Sequence, residues 1–196
     1  MPTAERRAPR AALESRDFRL FQAARFVSVL GSQVVSIAVG WHVYDLTRRA
    51  LDLGWVGLAQ FIPAFLLSLP AGHVADRVDR RRVFAICLAG YAAVALALLS
   101  LTLSGSRSPV PVYLVLVLFG AARGFSGPAS QALMPDLVSK EDFASAVAWS
   151  SSVWQIGAIV GPAAGGFLYA LGGARLAYGV SAVFFLGGAL ACAAIR

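Results

Sequence analysis

Long apolar runs separated by short charged turns dominate this chain. Residues 26–44, 53–75, 83–106, 143–174 and 176–195 carry no formal charge, and 110–134 is broken only by Arg123. A helix rises 1.5 Å per residue, so about 20 apolar residues cross roughly 30 Å of hydrocarbon. The pattern therefore predicts six spans, near 20–44, 53–75, 83–103, 110–134, 143–170 and 176–195, behind a polar tail over 1–17. A cleavable signal peptide is the rival reading of the start. The first uncharged run is longer than a signal core and five further runs follow, which favours an uncleaved first helix. The third run is rich in Ala and Leu with almost no polar side chains, and is expected at the lipid-facing periphery.

Composition sharpens this into a class. With 58% hydrophobic residues, 14% charged and a mean hydropathy of +0.71, the 196 residues are too apolar for a soluble domain. The expectation is an all-α integral membrane protein in a lipid bilayer. The net charge of +7 raises the question of nucleic acid, but the arginines flank apolar runs and form no basic face interleaved with aromatics. Membrane topology accounts for them instead. With the tail inside, Arg6, Arg7, Arg10, Arg16, Arg19, Arg77, Arg80, Arg81, Arg82, Lys140 and Arg196 are cytoplasmic, and only Arg48, Arg49, Arg107 and Arg175 are external. That bias obeys the positive-inside rule and places the chain, multi-pass, in the cell (inner) membrane with a cytoplasmic N-terminus. Cys87 and Cys192 lie far apart without metal-binding or redox spacing, so no disulfide, metal or cofactor is expected. No nucleophile, base and orienting group can be assembled, which argues against an enzyme.

Four places carry candidate chemistry. The turn over 71–82, AGHVADRVDRRR, sets Asp76 near the C-terminal end of its helix, where the macrodipole disfavours a carboxylate. A local ion pair with Arg77, Arg80, Arg81 or Arg82 is the plain reading. In the first span Arg25, Ser28, Ser32 and Ser36 fall on one helical stripe, with Gln33 beside it. Such a stripe should point into the bundle, either to bond other helices or to line a substrate cavity. Arg123 interrupts the fourth span, where insertion scales put a central arginine at roughly 2.5–3.5 kcal/mol. It is either functional or close enough to the cytoplasmic end to snorkel. In the fifth span Gly157, Gly161 and Gly165 recur every four residues around Pro162, which predicts a close helix crossing. His42 stands alone in the sequence and reads as a packed or wetted side chain rather than a proton relay.

The spacing Gly72, Asp76, Arg77, Arg80, Arg81 resembles the loop between helices 2 and 3 of major facilitator superfamily transporters. Asp79 stands where the general pattern has glycine, and the variant is similar to the branch holding the enterobactin exporter and macrolide efflux proteins. The run over 17–21, followed by Arg25, Ser28 and Gly31, resembles the start of helix 1 in that branch. Arg123 with Gly127 resembles the helix 4 signature, with Ser126 where many members have glutamine. The string Gly157, Gly161, Pro162, Gly165, Gly166 resembles the helix 5 motif of the family's proton-coupled antiporters.

The resemblance implies one six-helix half of that fold, a 3+3 inverted repeat. It implies a conformational gate at residues 72–81, and a proton-coupling role for Arg123 and Gly127. The partners it implies are a small-molecule substrate and either a C-terminal six-helix half or a second copy. Proton-coupled efflux of a siderophore- or drug-like amphipathic molecule is the expected function, with no nucleic acid involved. A non-transporting scaffold and an uptake facilitator on the same fold are the alternatives.

Overall fold

The computed structural model describes residues 11–195, and the side chains of residues 13–72 and 77–195. A 3-10 turn over Ala11–Glu14 leads into α1 (Arg16–Thr47), followed by α2 (Leu51–Arg77), α3 (Arg80–Leu103), α4 (Val110–Leu133) and α5 (Phe143–Ala193). All five are long and apolar enough to cross a membrane, and there is no strand among the described residues. Ser15 caps α1, its Oγ accepting the Phe18 N–H at 3.3 Å. At the other end Arg48 adopts the left-handed conformation and its N–H donates to the Tyr44 carbonyl at 2.8 Å. The helix thus outruns the predicted span at both ends. Hydropathy marks the hydrocarbon-crossing part, whereas caps fix where helical hydrogen bonding begins and stops.

At 51 residues α5 would reach about 75 Å as a straight rod, more than twice the hydrocarbon thickness. It does not run straight. Gly172 (φ −144°, ψ 17°) and Gly173 (φ 62°, ψ −160°) break it, and the second pair of angles is essentially restricted to glycine. Contacts with α1 show the reversal. Before the break Gly157 faces Val29, Gly161 faces Gln33 and Gly165 faces Ile37, so the two segments run in the same direction. After it Tyr178 meets His42, Phe185 meets Gly31 and Gly188 meets Ala24, so the chain returns. The loop expected over 171–175 shrinks to these two glycines, with Ala174 and Arg175 already helical.

α1 lies against both limbs of α5, α3 packs on α4 and α5, and α2 is held mainly through α4. Tyr91 of α3 sits between Phe119 of α4 and Phe185 of α5, at ring-centroid separations of 5.0 and 5.1 Å. The helix expected at the periphery is therefore the most enclosed within this bundle: half of an apolar 18-residue stretch of α3 is buried, against 6% of that in α2. A purely apolar sequence suits a protein interior as well as lipid, so composition could not separate the two. α2 instead presents Phe61, Phe65, Leu66 and Leu69 outward. Its contact with α4 is backbone to backbone. A Cβ added at Gly120 would lie 2.3 Å from the carbonyl oxygen of Gln60, and one at Gly124 would lie 3.0 Å from that of Ala64.

One end of the bundle gathers the start of α1, the α2–α3 turn, the end of α4 and both ends of α5. The Asp79 carboxylate caps α3, accepting the N–H groups of Arg81 at 3.0 Å and Arg82 at 3.4 Å. Arg80 donates to Asp136 at 2.9 and 3.1 Å and to the Ala132 carbonyl at 3.3 Å, while Arg81 donates to the Ile195 carbonyl. Two neighbouring arginines thereby satisfy carbonyls at the C-terminal ends of two helices, where the macrodipole favours cations.

Candidate functional site: a polar cavity with two arginines

A cavity of about 260 Å³ opens between α1, α3, α4 and α5. From α1 it takes Arg25, Ser28, Val29, Ser32 and Gln33; from α4, Arg123, Gly127, Ser130 and Gln131; Phe84, Trp154 and Ala158 complete the wall. The stripe of α1 and the arginine signature of α4, read separately from the sequence, therefore face the same space. Arg123 also borders a second hollow against α2, lined by Gly57, Gln60, Phe61 and Ala64.

Close helix approach builds the wall. On α5 a Cβ at Gly157 would fall 2.5 Å from Val29 Cγ1, at Gly161 2.5 Å from Gln33 Cβ, and at Gly165 3.1 Å from the Val34 Cα. The predicted small-residue crossing is thus real, and its partner is α1. Gly166 takes no part, with open space where its side chain would be. It lies about 100° round the helix from Gly165, off the contact face. Pro162 cannot give its N–H to the carbonyl of Ala158, a residue of the cavity wall.

Ser36 departs from expectation. It lies beyond the cavity, in an apolar hollow with Ile37, Gly40, Trp41, Tyr44 and Leu53. Helical phase puts residues on a stripe but does not fix their depth along it. At the α2–α3 turn Gly72 and Gly127 of α4 likewise show no close packing, while Arg77 is exposed. Asp76 belongs to the last turn of α2, and its side chain lies outside the described residues, as do Arg6, Arg7, Arg10 and Arg196. His42 is packed, its Nδ1 3.1 Å from the Tyr178 hydroxyl, and Tyr169 donates to Asp45 at 2.8 Å.

Sequence reasoning passed over Ser130, Gln131, Phe84 and Trp154. Ser130 and Gln131 follow Arg123 by seven and eight residues, so the same helical spacing used on α1 would have found them. Gly120 and Gly124 form a second small-residue pair around Arg123 that was also legible.

The electrostatics are one-sided. Arg48, Arg80 and Arg82 each have a carboxylate within 4 Å, at Asp45, Asp136 and Asp79. Among the described residues Arg25 and Arg123 make no such pair, and no carboxylate lines the cavity.

Long apolar helices around a polar cavity, with arginines placed within two of those helices, define a multi-pass membrane protein. Residues 23–196 match the Major Facilitator Superfamily, and the chain belongs to that family of transporters. It is similar to the staphyloferrin A transporter of Staphylococcus aureus, with 29% identity covering 89% of this chain and 44% of the relative. Macrolide efflux protein A of Streptococcus pyogenes is 27% identical over 79% of this chain and 38% of its own length. The enterobactin exporter EntS of Escherichia coli is 28% identical over 84% of this chain and 40% of its own. The chain spans less than half the length of these relatives.

Proposed function

We propose that this chain is the N-terminal six-helix half of a proton-coupled exporter of small amphipathic molecules, siderophore- or drug-like. The two limbs of α5 are read as the fifth and sixth spans. Its partner would be a second six-helix half, or another copy of the chain, covering the exposed face of α2. The described basic residues support a cytoplasmic end carrying Arg16, Arg19, Arg77, Arg80, Arg81, Arg82 and Lys140, opposite Arg48, Arg49, Arg107 and Arg175. The observation that carries the reading is Arg123, unpaired among the described residues and set in a polar cavity within an apolar helix. A guanidinium so placed responds to any charge that enters or leaves its surroundings, which is what coupling to protons requires. Gate roles for Gly72, Asp76, Arg77, Asp79, Arg80 and Arg81 belong to the same proposal. Rocking of the two halves about a midplane site is the mechanism.

Efflux tests it. Cells producing both halves should expel a fluorescent amphipathic dye, and a protonophore should abolish this. Arg123→Ala and Asp76→Asn should each lower the rate about tenfold or more, the scale of one lost charge interaction. Unchanged efflux in both variants would overturn the role assignments. A chain that reaches the membrane with its partner half and drives no efflux would instead be a scaffold.

A further inference from the structure

We infer that the cavity between α1, α4 and α5 is an oxyanion site, taking the carboxylate or similar end of the transported molecule between Arg25 and Arg123. This rests on the transporter reading above and adds to it the charge of the ligand. Both guanidinium groups line one cavity, and among the described residues neither has an ion-pair or hydrogen-bond partner. Arg25 is half-buried and Arg123 remains exposed to the cavity; a cation that loses part of its hydration gains from a counter-ion, and two like charges beside one cavity add their mutual repulsion. Among the described residues no acid answers them there: the carboxylates lie near helix ends or in turns.

The rest of the wall suits the same ligand. Ser32 and Ser130 donate their hydroxyl hydrogens to the carbonyls of Val29 (2.9 Å) and Gly127 (3.0 Å). The donors left to a ligand are the two guanidinium groups, Ser28, the side-chain amides of Gln33 and Gln131 and the indole N–H of Trp154. A guanidinium presents a planar fork that matches carboxylate or phosphate oxygens in pairs. At about 260 Å³ the cavity is smaller than the roughly 300–1,000 Å³ of pockets that enclose whole drug-sized ligands. It holds the charged end of a larger molecule, with Phe84 and Trp154 offering apolar contact to the remainder.

The test needs no transport. The purified chain in phosphatidylcholine nanodiscs is titrated calorimetrically with propane-1,2,3-tricarboxylate and with its neutral trimethyl ester. The acid should bind and the ester should not. Arg25→Gln and Arg123→Gln should each weaken acid binding about tenfold or more, as expected for losing a charge-assisted contact. Arg107→Gln removes the same charge from an exposed turn and should leave binding intact. Unaltered elution and helical circular dichroism in the two cavity variants would show that they fold. Equal titration by acid and ester, or unchanged acid binding in both cavity variants, would overturn the inference. So would loss of binding in discs containing phosphatidylglycerol, since lipid headgroups would then hold the site. If the acid binds while efflux proves independent of the proton gradient, the site stands and the proton coupling falls; if the acid binds and no efflux occurs, the site stands and the exporter reading falls. If efflux is proton-driven and the cavity ignores ligand charge, the oxyanion site alone falls.

Discussion

Arg80 and Asp136, 56 positions apart, are joined at 2.9 and 3.1 Å across the end of the bundle, fastening the start of α3 to the segment after α4. The side chains remain 36% and 52% exposed, so the ion pair itself contributes little, about 0.2–1 kcal/mol. Arg80 also satisfies the Ala132 carbonyl. Arg80→Ala should therefore lower thermal stability in detergent more than Asp136→Asn does. Equal losses would mean that the carbonyl contact contributes nothing.

Asp79 replaces the glycine of the general family pattern and caps α3. Asp79→Ala should cost about 0.5–2 kcal/mol, whereas Asp79→Gly should cost only a few tenths, because glycine is also tolerated at a helix N-cap. Melting curves of the two variants, compared with the parent, read this order directly.

Gly120 and Gly166 make a matched pair of opposite outcome. Gly120→Ala would drive a methyl into the Gln60 backbone and should destabilise by about 1–3 kcal/mol, or separate α2 from α4. Gly166→Ala meets open space and should be neutral or slightly stabilising. Denaturant titration in micelles distinguishes them. A tolerated Gly120→Ala would show that the two helices do not approach this closely.

The charge bias sets the expected membrane orientation. A reporter fused after Lys140 should be cytoplasmic and one fused after Arg107 external, as read by paired fluorescent-protein and alkaline-phosphatase fusions. The reverse labelling would invert every assignment of inside and outside.

Much of this architecture was legible because the governing patterns are local. Uncharged runs announced long apolar helices, and the four-residue spacing of Gly157, Gly161 and Gly165 announced a crossing. The sequence could not say that α1 would be its partner, nor that Arg80 would reach Asp136, because both depend on distant segments meeting. The enclosure of α3 was hidden for another reason: lipid and protein interior select the same apolar side chains. Ser36 shared the phase of the cavity stripe and still fell outside the cavity. That Arg25 and Arg123 have no carboxylate partner among the described residues emerged only with the geometry, since it depends on which acids lie far away.

The contact between His42 and Tyr178 joins residues 136 positions apart. At synthesis speeds of about 5–20 residues per second, about 7–27 seconds separate the making of the imidazole from the making of its phenol. During that interval α1 lacks the limb that will cover Gly31 and His42. The returning limb of α5 thus completes the surroundings of a helix made well before it.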